Sequence, residues 1–181
     1  MRQAKAILRS SILIAIFTYS SVFAEVLDSA SNGFTVKNTV LIEADRGVVY
    51  HAAMARVGSW WSSDHTVSGD AANLYMDARV LGCFCERLGE GAGLVHLSIS
   101  FIDPGVLVRF NGGLGPLGFM GVAGNMTWEF ETADKGTLVT IEYAIGGYMP
   151  GGLDSIAAPV DGVLLDALDL LAAYVHDAEP G

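Results

Sequence analysis

Hydrophobic residues recur along the chain at two periods, and the change from one to the other marks the elements. Across residues 34–43, Phe34, Val36, Val40 and Ile42 alternate with Thr35, Lys37, Thr39 and Glu43, the two-residue repeat of a strand with one buried face. Val49, Ala52, Ala53 and Val57 then fall at helical spacing. The pattern predicts a helix over about residues 46–57, with Ala44-Asp45 at its N-cap and Gly58 able to take the left-handed cap.

Strand character returns near residues 74–80, 82–88, 94–102 and 106–111, punctuated by Gly89-Glu90-Gly91 and Asp103-Pro104-Gly105. In the third of these runs Val95, Leu97, Ile99 and Phe101 share one face, and His96, Ser98 and Ser100 share the other. Met126, Trp128 and Phe130 oppose Thr127, Glu129 and Glu131, and Val139, Ile141, Tyr143 and Ile145 oppose Thr140 and Glu142, with a hairpin at Asp134-Lys135-Gly136. The last run, residues 159–177, changes period again. Val160, Val163, Leu164, Leu168, Leu171, Tyr174 and Val175 recur at three- and four-residue steps, while Asp161, Asp166 and Asp169 fall toward the other side. This is a long amphipathic helix that needs a matching apolar surface, and Pro159 suits its first turn because the missing N–H would be unpaired there. Strand, helix, about six more strands, helix predicts an α+β domain: a curved antiparallel sheet of about seven strands around the C-terminal helix.

Composition changes the picture mainly at the N-terminus. Arg2, Lys5 and Arg9 precede an apolar centre at residues 12–17 and a small-x-small site at Val22-Phe23-Ala24, which together read as a signal peptide over residues 1–24 and a single domain over 25–181. The apolar stretch is shorter than the ~20 residues a spanning helix needs, so no stable membrane anchor is expected after the leader is removed. Its loss takes three of the ten Lys/Arg and none of the twenty Asp/Glu, moving the net charge from -10 to -13. The remaining basic residues are scattered singly, which argues against nucleic acid as a partner. Exported chains often use disulfides, yet this one has only Cys83 and Cys85. Two residues apart on an extended strand they would point the same way in parallel, so an intrachain disulfide is not expected. Two small strand side chains is the favoured reading, with a redox pair or half a metal site as the alternatives.

Several features together resemble a known superfamily. They are the strand-helix start ending in Trp60-Trp61, Leu81-Gly82-x-x-x-Glu86, the Asp103-Pro104 turn, Gly136-Thr137 opening the penultimate run, and the closing helix. Over about residues 34–176 the chain looks like a member of the SRPBCC (START/Bet v 1-like) superfamily, nearest to its Hsp90-ATPase-activator-like and polyketide-cyclase-like branch. The resemblance implies a helix-grip fold with a deep, mainly apolar cavity between sheet and helix. Members bind lipids, sterols, polyketides or other hydrophobic small molecules, and some are enzymes with no catalytic set common to all. The leader departs from that branch, because Hsp90 is cytosolic, and Hsp90 is therefore not expected as a partner.

Candidate chemistry is sparse. Gly113-Leu114-Gly115-Pro116-Leu117-Gly118 spells a dinucleotide fingerprint, but a strand follows where a helix N-terminus should meet the pyrophosphate. The apolar residues of this loop, with Phe119 and Met120, suggest either a lid over the cavity or a packing loop. Ser62-Ser63-Asp64-His65 has the letters of a hydrolase triad on sequence neighbours that cannot converge. The four histidines lack metal-ligand spacing, so neither metal nor cofactor is indicated. Asn125-Met126-Thr127 is a glycosylation sequon, of consequence only in a eukaryotic secretory route. Glu86, His96 and Arg109 are the titratable groups placed near the cavity, where they would act as acid or base or orient a polar ligand tip. Their competing placement is the solvent face.

The expectation is an exported domain that binds a lipid- or polyketide-like molecule, with Trp60, Trp61, Phe119, Met120, Met126, Trp128, Leu164 and Leu168 around it. A cyclase- or hydrolase-type enzyme using Glu86 or His96 is the alternative, and a protein-interaction module the second alternative; no catalytic residue is assigned.

Overall fold

The computed structural model describes residues 23–178, so most of the expected signal peptide lies outside the described residues. Among the described residues eight strands form one antiparallel sheet: β1 (Phe23–Ala30), β2 (Gly33–Ile42), β3 (Leu74–Met76), β4 (Cys83–Gly89), β5 (Ala92–Asp103), β6 (Leu107–Asn111), β7 (Gly121–Ala133) and β8 (Gly136–Tyr148). Their order across the sheet is β1-β2-β8-β7-β6-β5-β4-β3. The helices are α1 (Arg46–Ala55), the single turn α2 (Val57–Trp60) and α3 (Ala157–Ala178). This is the expected α+β helix-grip architecture. The chain lays down β1 and β2 and crosses to the far edge through α1 and α2. It then meanders back from β3 to β8, beside β2, and closes with α3 against β1, β2, α1 and α2.

The additional strand is β1, paired with β2 from Phe23↔Thr39 to Ala30↔Gly33. A chain beginning at Glu25 would lose only the first two of these pairs. The expected strand over 74–80 stops at Met76, because Leu81 takes a left-handed backbone (φ 66°) and Gly82 turns back so tightly that a Cβ there would lie 1.9 Å from the Asp77 carbonyl oxygen. Gly136-Thr137 has a similar local reason. Gly136 has φ 133° and sits where a Cβ would meet the Ile42 carbonyl oxygen, and the buried Thr137 hydroxyl donates to the Ala44 carbonyl at 2.8 Å.

Alternation delivers Val36, Val40, Phe110, Trp128, Val139 and Ile141 to the inner face, all fully buried. Leu164, Leu168, Leu171 and Val175 of α3 join the same core. At roughly 1.5–3 kcal/mol for each large apolar side chain, that burial is what holds the helix on the sheet. One polar contact fixes its placement: Asn38, inside β2, donates to Asp161 near the start of α3 at 2.9 Å. Asp161 is thus drawn to the sheet rather than to the solvent side.

Two sequence expectations fail in the β4-β5 hairpin for one reason. The ladder steps between Phe84↔Leu97 and Cys85↔Val95, leaving His96 as an extra residue in β5. Such a bulge bends and twists the pair. His96 and Leu97 are consequently both buried, so His96 joins the Leu97 and Ile99 face instead of the Ser98 face. A second step between Ile99 and Phe101 turns Phe101 outward, half exposed. On β4 the same distortion brings the Cα atoms of Cys83 and Cys85 to 5.4 Å, against about 6.6 Å for two residues of regular strand. The two cysteines form a disulfide, contrary to the sequence expectation.

Candidate functional site

Toward β4 and β5 the sheet and the start of α3 do not close on one another, and a cavity of about 330 Å³ remains. Four pieces of chain build its wall: the segment after α2, the inner face of the β4-β5 hairpin, the loop through Gly115–Phe119, and the first two turns of α3. From α3 it is Pro159, Val160 and Val163 that face this space.

Trp60 and Trp61 separate at the end of α2. Trp60 closes the helical turn and packs into the core, its indole N–H donating to the Ala52 carbonyl at 2.9 Å and its ring 6.3 Å from that of Trp128. Trp61 is already extended (φ -64°, ψ 150°), so its side chain swings to the cavity wall, where it meets the Phe84 ring edge-on at 5.3 Å. Of the residues expected around a ligand, Trp61 and Met120 line the cavity. Met126, Trp128, Leu164 and Leu168 are sealed in the core beside Trp60, and Phe119 stands 70% exposed. Met126 and Trp128 contact each other through an indole N–H to sulfur distance of 3.1 Å.

The glycine-rich loop is tied down at its root by Tyr143, a residue that alternation alone marks as ordinary core. Its hydroxyl donates to the Gly112 carbonyl at 2.9 Å and accepts from the Leu114 N–H at 3.0 Å. Burial pushes this phenol up to about 12, partly offset by the Leu114 N–H. Leu114, Leu117 and Met120 then form one side of the cavity.

The polar chemistry sits on the hairpin. Glu86 and His96 are both buried and joined at 2.9 Å through Oε2 and Nε2. Glu86 also accepts the backbone N–H of Val67 at 3.0 Å through Oε2 and that of Ser68 through Oε1. Burial alone would push the carboxyl up. Hydrogen bonds from Ser68, Val67 and His96 outweigh it and hold the group at about 2, against an ordinary 4.5. His96 lines the cavity with its ring centroid 5.2 Å from that of Phe84, and its Nδ1 has no hydrogen-bond partner among the described residues. Arg109 takes the other placement, on the exposed face, with its Nε 3.4 Å from the Thr127 hydroxyl. Asp64 and His65 lie at the cavity wall, but Ser63 is turned away, its hydroxyl accepting the Ala71 N–H at 3.0 Å, so these neighbours form no triad. No group of three or more His, Cys, Asp or Glu side chains is gathered to hold a metal among the described residues.

No protein-family model matches the chain, and no curated protein matches it. Solved structures do share the fold. An uncharacterised protein from Rhizobium leguminosarum superposes with a TM-score of 0.58 at 18% identity, covering 88% of this chain and 99% of that one. The protein MLL2253 from Mesorhizobium loti gives 0.57 at 12% identity, over 81% and 99% of the two chains. CalU16 from Micromonospora echinospora gives 0.55 at 14%, over 87% and 85%. At these identities the likeness defines a common fold, a curved antiparallel sheet holding a C-terminal helix.

Proposed function

We propose that this chain is an exported domain of the SRPBCC type, of the Hsp90-ATPase-activator-like and polyketide-cyclase-like branch, that binds a hydrophobic small molecule, lipid- or polyketide-like, in the cavity between sheet and helix. The observation that carries the reading is the cavity of about 330 Å³, walled by Trp61, Phe84, Leu117, Met120, Val160 and Val163. Mostly apolar walls of this size with a few polar groups among them, here the Glu86-His96 station together with Asp64, His65 and Thr66, are what a small-molecule site requires. The basic and apolar leader in residues 1–24 supports export, and a chain cut after Ala24 keeps most of the β1 pairing.

The test uses the purified chain without its leader. Native mass spectrometry is expected to show a co-purified apolar adduct, and an apolar fluorophore is expected to bind without loss of structure. Neither adduct nor binding would end this reading. A second reading, an acid-base enzyme of cyclase or hydrolase type, draws on the inward-facing Glu86-His96 pair. It requires turnover that His96→Phe abolishes.

A further inference from the structure

Three segments of the chain, residues 29–36, 110–128 and 143–153, carry no Asp, Glu, Lys, Arg or His. The fold brings them to one end of the sheet. Gly146 in β8 pairs with Gly33 at the start of β2 and with Ala123 in β7. The turn between β1 and β2 is tied to the same end, its Asn32 carbonyl accepting from the Gly147 N–H and its Ser31 carbonyl from the Leu153 N–H. Charge resumes only at Asp28 and Lys37, at Arg109 and Glu129, and at Glu142 and Asp154. Without its leader the chain has a net charge of -13, so an end free of charge sets itself apart from the rest of the surface. On it stand Phe119 at 70% and Tyr148 at 74% exposure, the most exposed aromatic side chains among the described residues. They are neighbours, because Gly121, two residues after Phe119, pairs with Tyr148, and the exposed Met120 lies between. Other exposed apolar residues are mixed with charge: Leu81 follows the Asp77-Arg79 ion pair, and Phe101 lies across from Arg109.

We propose that this end of the domain docks reversibly on a neutral, zwitterionic lipid bilayer, entering the headgroup layer through Phe119, Met120 and Tyr148. Area argues against a stable protein pair. With a whole aromatic side chain presenting about 150–250 Å², the exposed parts of these three residues come to about 400 Å², half of the roughly 800 Å² that each partner of a stable pair contributes. A lipid surface makes no such demand, because side chains that protrude singly can enter it one at a time, and aromatic rings suit the headgroup level. Charge then selects the kind of bilayer. An anionic surface repels a body of charge -13, whereas uncharged segments can approach a zwitterionic one without stripping water from ions. On the cavity side the contact is bordered by Asp64, His65 and Thr66, which share a wall with Met120, and the Asp64 carboxylate there is a further obstacle to anionic lipid. Docking of this kind does not depend on what the cavity holds.

Co-sedimentation with lipid vesicles tests the proposal on the chain without its leader. Vesicles of phosphatidylcholine alone are expected to bind it, and admixed phosphatidylglycerol to weaken the binding at low salt. Phe119→Ser combined with Tyr148→Ser should lower the affinity for phosphatidylcholine at least about tenfold. Phe101→Ser, at another exposed aromatic, should leave it unchanged. In Tyr148→Trp, brominated phosphatidylcholine should quench the new indole and spare Trp60, Trp61 and Trp128, which are buried. No binding of the unmodified chain to phosphatidylcholine, binding that the double variant retains, or stronger binding to the phosphatidylglycerol mixture overturns the proposal. Absence of quenching in Tyr148→Trp overturns it even if the double variant does not fold. Self-association of the unmodified chain that the double variant loses overturns it as well, and makes a second copy the occupant. The apolar fluorophore of the cavity test should bind the double variant as it binds the unmodified chain, so that vesicle binding and cavity binding are lost separately.

Discussion

Leu168 and Val163 lie within two turns of one another on α3, yet Leu168 is sealed at 1% exposure while Val163 borders open space. The difference comes from the sheet. Opposite the later turns of the helix, regular alternation in β2, β7 and β8 stacks Val36, Trp128 and Ile141 into a filled core. Opposite the first turns, the hairpin β4-β5 is bulged and the loop at Gly115–Phe119 stands in for a strand, so the surfaces do not interdigitate. Complete packing and a cavity thus follow from regular and irregular pairing within one sheet.

The largest test of that contrast is a pair of truncations. Leu168→Ala should lose about 2–5 kcal/mol in denaturant unfolding, and Val163→Ala less than about 1 kcal/mol, because only the first opens a new void. Equal losses would break the comparison. The polar station should show itself in acid. Glu86 has its folded-state value held at about 2, below an ordinary 4.5, so its contribution is present above pH 4.5 and is lost as the pH falls through about 2. Unfolding free energies from urea titrations across that window should fall by an amount on the order of 3 kcal/mol in the unmodified chain, and Glu86→Gln should lack this component. Tyr143→Phe strands the Gly112 carbonyl and the Leu114 N–H. It should cost about 1–3 kcal/mol and speed amide exchange in the loop while leaving the α3 core protected. Smallest is the disulfide. Reducing Cys83-Cys85 releases a very short loop, worth about 1–2 kcal/mol on loop-closure entropy, and thiol titration should go from none to two per chain.

Much of the packed half was legible in the sequence because it obeys periodicity. Val36, Trp128, Ile141 and Leu168 all sit where a two- or three-to-four-residue repeat puts them. The cavity half was less so. Residues 94–102 read as an unbroken alternation, and a bulge leaves no mark in composition, so His96 was assigned opposite Leu97 rather than beside it. The disulfide was missed through the same bend. Trp60 and Trp61 looked equivalent as neighbours, and only the end of a helical turn sends them to different places. The period of residues 159–177 gave the helix but not which of its turns meets a filled part of the sheet, so Leu164 and Leu168, which are sealed in the core, could not be told from Val160 and Val163, which line the cavity. Tyr143 carried no distinguishing signal, since a core tyrosine and a loop anchor share one position in the strand pattern.

The bulge in β5 also bears on how such a site can arise or vanish. His96 faces inward because one residue more is threaded between Val95 and Leu97 than the ladder requires. Loss of a single codon there would restore the regular register, leave the flanking core residues where they are, and delete the imidazole from the cavity wall. Among chains that share this fold, the chemistry of the cavity can therefore be gained or lost by a change in strand length, and an alignment scored by residue likeness alone would record it as no more than a gap.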